Sequence, residues 1–314
     1  MADIMNATRT DQHITLTDGR KLGFAEYGIA DGLPLMLFHG TPGSRCMSFL
    51  ERAEWVQRLG FRVLVPERPG FGLSDPAPRR SIGDWADDVI QLADHLGLGT
   101  FHVAGGSGGG PYALSCALHL PTRVRSATLI CSGCPPQTMH DKGGMSRGNR
   151  LVFSLARYVP PLLRILMALF SRAVRKQGKP KSEKAKQRML AQLCPWDRRV
   201  LEALGDDPDA KLQLTEAFRQ GSAGAYHDIM RISHAWGLNL NSLEVPVFLW
   251  HGTADTLMPV APARAFARRI PGCEAHFIED AGHMLLADPE TATRMMERIA
   301  AVWKQDNTRS SAHC

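Results

Sequence analysis

Three times between residues 34 and 120 the chain runs through the same cycle: a short apolar stretch, a loop, then a longer stretch with apolar residues at helical spacing. The apolar stretches are Pro34–Phe38, Phe61–Val65 and Phe101–Ala104; the helical ones are Met47–Leu59, Ser81–Leu96 and Tyr112–Leu120. A fourth short stretch, Val124–Ile130, follows. Strands this uniformly apolar need cover on both faces, and strands joined through helices run parallel. The Ser81–Leu96 helix shows the pattern well, with a Ser81/Asp84 capping pair and Trp85, Val89, Leu92 and Leu96 on one stripe. The expected fold is therefore α/β, a mostly parallel central sheet flanked by helices.

The ends of the chain fit that frame. Residues 14–28 alternate around Asp18-Gly19, which predicts an antiparallel hairpin. The cycle resumes with a strand at Val245–Trp250, a helix at 261–270, a strand at Ala275–Ile278 and a helix at about 289–304; the polar tail 305–314 is expected to be disordered. Between the two halves, residues 135–240 show no convincing strand. Helical stretches near 147–158, 162–177, 183–193, 197–204, 210–220 and 223–236 are separated by Pro160-Pro161, Pro180 and Pro208. This predicts an all-helical module, 135–240, inserted into a core made of 1–134 and 241–314.

In a parallel sheet, ligands meet the loops at the carboxyl ends of the strands. One such loop is Gly105-Gly106-Ser107-Gly108-Gly109, between a strand and a helix. A turn that tight strains the backbone of the central residue and leaves no room for side chains two positions away, needs that Gly105 and Gly109 meet. It exposes the Ser107 hydroxyl and aims the N–H of Gly108, at the helix start, toward a developing oxyanion. A dinucleotide fingerprint beginning at Gly106 fails at Pro111, and no Gly-Lys-Ser/Thr ending of a phosphate loop follows. Three other strand-end loops carry reactive residues: His39-Gly40-Thr41, His251-Gly-Thr-Ala-Asp255 and Glu279-Asp-Ala-Gly-His283.

In order and context these motifs resemble the α/β-hydrolase-fold serine hydrolases with a helical cap. Gly-Gly-Ser107-Gly-Gly is similar to the nucleophile elbow, Gly252-x-x-Asp255 to the acid loop and Gly282-His283 to the histidine loop. The match covers about residues 14–134 and 241–304. The resemblance implies Ser107 as nucleophile, His283 as the base that deprotonates it, Asp255 as the acid that orients the imidazole, and the backbone N–H groups of Thr41 and Gly108 as the oxyanion hole. Asp280 precedes His283 too closely for the family's arrangement. The Cys131-Ser132-Gly133 loop, where some relatives carry an alternative acid, has no carboxylate. The loop Pro66–Asp75 resembles the family's Arg-Pro-Gly-x-Gly-x-Ser segment and is read as scaffold; His39, His251 and His276 are read as structural.

Composition narrows the rest. Seven scattered cysteines, an odd number, suit a reducing compartment, and Cys131-Ser-Gly-Cys134 lacks the second pair that a zinc site needs. No metal-binding pattern and no cofactor motif is present, so neither is expected. No apolar run approaches the ~18 residues of a membrane span, and the first residues lack a secretory signal; a cytoplasmic protein is expected. Net charge is +6, concentrated between Lys142 and Arg188 where thirteen Lys and Arg meet one acid, Glu183. Basic helices with solvated faces account for this without nucleic acid, while leaving peripheral contact with anionic lipid open.

Within that region Val159–Phe170 is too short to span a bilayer and reads as a helix lining the substrate pocket, with Leu162, Leu166, Met167 and Phe170 as its apolar wall. Glu202, Asp206, Asp207 and Asp209 lie beside Gly205 and Pro208 and read as a solvated turn, so no carboxylate is expected to hold a substrate amine. The expected substrate is a small or medium, largely apolar ester or lactone. A proline-releasing aminopeptidase, a carbon–carbon bond hydrolase, a cofactor-free perhydrolase and a small-ligand receptor on the same fold are the alternatives. Nothing in the sequence sets an oligomeric state.

Overall fold

The computed structural model describes residues 8–139, 143–176, 190–191, 193–204 and 208–311. The chain opens with β1 (Arg9–Thr15) and β2 (Lys21–Gly28), paired antiparallel through the tight turn in which Gly19 takes φ +84°. Then come β3 (Leu33–Phe38), α1 (Phe49–Arg52), α2 (Glu54–Arg58), β4 (Phe61–Pro66), α3 (Trp85–His95), β5 (Phe101–Gly106), α4 (Gly110–His119) and β6 (Val124–Ile130). Among the described residues five helices follow, α5 (Arg147–Tyr158), α6 (Pro160–Arg175), α7 (Pro195–Leu204), α8 (Pro208–Ala217) and α9 (Ala223–Ser233). The chain closes with β7 (Val247–Gly252), α10 (Val260–Ala267), β8 (Glu274–Ile278) and α11 (Pro289–Ser311).

The eight strands form one sheet in the order β1-β2-β4-β3-β5-β6-β7-β8, antiparallel at β1–β2–β4 and parallel from β4 to β8. Strand residues alternate between two cores. Met36, Phe38, Leu64, Phe101 and Val103 face α3, α4 and α10, whereas Leu35, Leu37, Val63, Val65 and Ala104 face α1, α2 and α11. Burial on both faces is why these strands read as unbroken apolar runs.

Register sets the ends of the central strands level: Phe38 pairs with Gly105, Gly106 with Ile130, Ile130 with Trp250 and Gly252 with Ile278. The loops carrying Thr41, Ser107, Cys131, Asp255 and His283 therefore leave one edge of the sheet side by side.

Two elements differ from expectation. The helix over 47–59 is two short helices broken at Ala53, whose ψ of 110° is extended; the break lets Leu50, Trp55 and Val56 all face the sheet, which one straight helix cannot do. The last helix runs to Ser311 rather than ending near 304, because 305–311 hold no glycine or proline to stop it. The stretch 183–193 lies mostly outside the described residues, as do Lys179, Lys181, Asp206 and Asp207.

Among the described residues, 131–246 contribute no strand. Helices α5, α6 and α9 pack together through Ala156, Leu163, Met167 and Ile229. A second contact, Phe71 with Val174, Ala217, Phe218 and Ala225, joins them to the loop after β4.

Candidate active site

Ser107 stands directly after β5 with φ +52°, a left-handed conformation that a residue with a side chain adopts only when its surroundings enforce it. The enforcement comes from glycines. A Cβ on Gly105 would collide with Gly109 and lie 2.7 Å from Gly110 N, and one on Gly109 would strike the carbonyls of Phe38 and His39. Strand, turn and helix approach this closely only without those side chains, and α4 then starts immediately behind the serine.

The loop after β3 folds over this turn. Gly40 lies against Ser107, where an added Cβ would meet the Ser107 Cβ at 3.4 Å. Gly108 is so close to Thr41 that a Cβ there would meet the Thr41 Cβ at 2.8 Å. The two residues expected to share an oxyanion are thus neighbours, beside the serine turn.

Asp255 and His283 form the third part. His283 Nδ1 donates to Asp255 Oδ2 at 2.7 Å, and Asp255 Oδ1 accepts the backbone N–H groups of Leu257 and Met258 at 2.8 and 2.9 Å. Asp255 is buried, which works against its charge, but His283 outweighs burial and holds the carboxyl below its usual range. For His283 burial again opposes the charge, and Asp255, helped by Asp197, raises its pKa above the ordinary histidine value. Among the described residues the Ser107 hydroxyl makes no hydrogen bond.

Asp280, though near in sequence, is exposed, and its backbone N–H binds Thr253 Oγ1. Cys131 occupies the position after β6 with φ +44° and sends its Sγ to Gly282 O at 3.6 Å. Its sulfur lies within 4.8 Å of ligand atoms of Asp255 and His283. Burial, reinforced by Asp255, pushes that thiol well above its ordinary range, so it stays neutral. His39 is buried and neutral, its pKa pushed down to about 3 by burial and Arg68; His251 is buried and bound to Met258 O at 2.7 Å; His276 stacks on Trp250.

Residues the motifs did not single out hold these loops in place. Arg68, in the segment read as scaffold, is buried and donates to His39 O at 2.6 Å, Gly40 O at 2.9 Å and Thr41 Oγ1 at 3.1 Å. Its counter-ion is Asp228, fully buried on α9, at 2.8 Å. Asp228 also accepts hydrogen bonds from Thr41 Oγ1 and Tyr112 Oη. Burial disfavours that carboxylate, and Arg68 overrides it, so it stays ionised well into acid. Asp197 on α7 does the equivalent for the histidine loop, accepting the N–H groups of His283 at 3.0 Å and Met284 at 2.9 Å. A third tie joins Glu216 of α8 to Arg45 at 2.8 Å; Arg45 also pairs with buried Glu67 at 3.0 Å.

A sequence signal existed for Asp228: Ala225, Asp228, Ile229 and Ile232 form the buried stripe of α9, and a carboxylate in that stripe needs a partner. The same stripe supplies an apolar contact beside the serine turn, Ile232, 2.9 Å from where a Gly108 Cβ would lie and 3.3 Å from a Gly133 Cβ. The expected wall on α6 is divided. Met167 is buried and Leu166 half-buried against α9, but Leu162 and Phe170 are exposed, because the buried stripe of α6 is Leu163, Met167, Ser171 and Val174.

Residues 34–289 match the family model described as the alpha/beta hydrolase fold. The non-heme chloroperoxidase of Streptomyces lividans is 33% identical over 131 residues, which is 39% of this chain and 45% of that protein, so the chain aligns with under half of that relative. The proline iminopeptidase of Neisseria gonorrhoeae is 22% identical across 91% of this chain and 94% of its own. Among solved structures, a thermophilic esterase from Thermogutta terrifontis superimposes with a TM-score of 0.60 at 26% identity, covering 95% of this chain and 99% of that one.

Proposed function

The chain belongs to the α/β-hydrolase family, and on that premise we propose that it is a serine hydrolase cleaving small or medium apolar carboxylic esters or lactones through an acyl-enzyme on Ser107. What carries the reading is the convergence at one sheet edge of a left-handed Ser107, the Thr41–Gly108 pair and an Asp255–His283 hydrogen bond of 2.7 Å.

In this mechanism the Asp255 carboxylate accepts Nδ1–H of His283, which leaves Nε2 unprotonated and facing the substrate site. Nε2 takes the Ser107 proton as Oγ attacks the acyl carbon, and the N–H groups of Thr41 and Gly108 receive the charge that forms on the carbonyl oxygen. The imidazolium, stabilised by Asp255, then protonates the leaving alkoxide. Water, deprotonated by the same nitrogen, releases the acid and restores the serine. The Ser107–His283 contact closes in the reacting complex, as such contacts commonly do.

Helices α5 to α9 would act as the cap over this centre, with Ile232 against the acyl group. The acids of this region that reach the core loops favour an ester over a peptide with a free amino terminus: Asp228, Asp197 and Glu216 are committed to Arg68, to two backbone N–H groups and to Arg45, while Glu202 is exposed to solvent. Two measurements test the reading. A fluorophosphonate should label Ser107 alone, with Ser107→Ala abolishing labelling and turnover; an adduct on Ser44, Ser132 or a cysteine would refute the assignment. The ratio of kcat/KM for 4-nitrophenyl butyrate to that for proline 4-nitroanilide should be large; a preference for the anilide would make the enzyme an aminopeptidase.

A further inference from the structure

Helix α6 is apolar around most of its circumference. Apart from the side carrying Arg164, Arg172 and Arg175, its apolar side chains would ordinarily be covered by protein or sit in lipid. Here only one side is covered: Leu163, Met167, Ser171 and Val174 are buried toward α8 and α9. At 100° per residue the opposite side carries Leu162, Ile165 and Leu169, which are 48%, 56% and 56% exposed. The last residue of α5, Tyr158, adds to this side at 72%, and Leu151 near the start of α5 at 53%. Apolar side chains of this size, gathered on consecutive helices, mark a surface made for contact.

Charge says what it contacts. From Gly143 to Lys176 there are seven Lys or Arg and not one Asp or Glu. Arg164, Arg172, Arg175 and Lys176 are exposed beside the apolar side chains, and among the described residues none of them pairs with a carboxylate. A second copy of this face would set like charge against like charge. Nucleic acid would match the charge but offers no use for a row of aliphatic side chains. An anionic phospholipid surface meets both needs. At 16 residues α6 is about 24 Å long, short of the ~20 residues that span a bilayer, and no described helix is long and apolar enough to do so. Its place is in the plane of the interface.

We propose that the α5–α6 face docks on membranes containing anionic phospholipid. Leu162, Ile165 and Leu169 enter the boundary between headgroups and acyl chains, and the flanking Arg and Lys lie among the phosphates. The inference stands apart from the hydrolase reading, since binding alone tests it. The full chain is floated with phosphatidylcholine vesicles, with and without phosphatidylglycerol, at low and high salt. Two double variants at exposed positions, Ile165→Glu with Leu169→Glu and Arg164→Gln with Arg172→Gln, are compared after thermal melting shows them folded.

Binding should require phosphatidylglycerol and weaken with salt. The charge variant should bind roughly 30-fold more weakly, from about a factor of five or more per cation near the surface. The apolar variant should lose about tenfold or more. Three outcomes would each overturn the proposal: no binding to anionic vesicles at low salt, equal binding to neutral vesicles, or undiminished binding in either variant. Self-association relieved by Ile165→Glu and Leu169→Glu, in a protein that ignores vesicles, would assign the face to a second copy instead.

Discussion

Asp228→Asn is the most informative single change, because it separates holding the fold together from holding the oxyanion loop. The substitution leaves the volume of the side chain and removes its charge from beside Arg68, whose guanidinium is 1% exposed and sits 2.8 Å away. Breaking a buried pair by neutralising one member costs about 3–5 kcal/mol. Arg68 keeps its hydrogen bonds to the carbonyls of His39 and Gly40, which puts the loss at the low end. At about 2–4 °C per kcal/mol for a large domain, the melting temperature should fall by roughly 10 °C.

The effect on rate follows a different path. Thr41 Oγ1 loses its carboxylate acceptor, and the N–H of Thr41 loses the anchor that fixes its direction. Complete loss of one oxyanion donor costs about 3 kcal/mol, and a loosened donor part of that, so kcat should fall about 10- to 100-fold. KM should move less than about threefold, since the contact is made in the transition state. Thr41→Val isolates the second path: it cuts the tie to Asp228 but leaves the ion pair, and should lose a comparable factor in kcat with a nearly unchanged melting temperature. The assay is steady-state ester hydrolysis well below each variant's melting temperature, beside scanning calorimetry. An Asp228→Asn enzyme as fast as the wild type, or a fully active Thr41→Val, would show that Asp228 merely fastens α9.

Two further predictions concern protonation. Because Asp255 raises the His283 pKa and catalysis needs the neutral imidazole, kcat/KM should rise with pH through a midpoint above the ordinary histidine value. In Asp255→Asn that midpoint should shift downward while kcat drops by about 10⁴, and an unmoved midpoint would disconnect the pair from catalysis. His39 and His102 are buried with pKa values of about 3, below the unfolded value, so the unfolded chain binds more protons in between. Their contribution to stability is present above about pH 6.5 and is lost as pH falls, each at a limiting slope of about 1.4 kcal/mol per pH unit. The difference between wild-type and His102→Gln denaturation profiles from pH 7 to 4 should show that slope; parallel profiles would contradict it.

The proposed catalytic edge could be read as a candidate from sequence because its constraints are local. Gly105 and Gly109 are demanded by a turn five residues long, Asp255 falls just after an apolar run, and His283 follows the short stretch Ala275–Ile278, which the alternation of strands and helices marks as the next strand. What escaped are partnerships between distant segments. Asp228 falls in the buried stripe of α9, which says that it needs a partner but not that the partner is Arg68, 160 residues away in sequence, and for Asp197 only its three-dimensional neighbours, the N–H groups of residues 283 and 284, show that it is not on a solvated face. The apolar run over Val159–Phe170 carries no indication of direction: both sides of that helix qualify as a pocket wall, and packing against α9 turned Leu163 and Met167 inward and Leu162 outward. Ala53 is similar, since the break there answers to the sheet beneath it rather than to any helix-breaking residue.

The three carboxylate ties also fix what can be exchanged between relatives. Helices α7, α8 and α9 each place one acid on a core loop, and two of those acids are matched by arginines, Arg45 and Arg68, that precede the helices by well over a hundred residues. A chimera that transplants residues 135–240 into another scaffold delivers Asp228 and Glu216 without their counter-ions. The reciprocal swap leaves Arg45 and Arg68 buried with less to neutralise them. The unit that these ties hold together is discontinuous, and recombination that respects it has to carry the loops after β3 and β4 along with the helices.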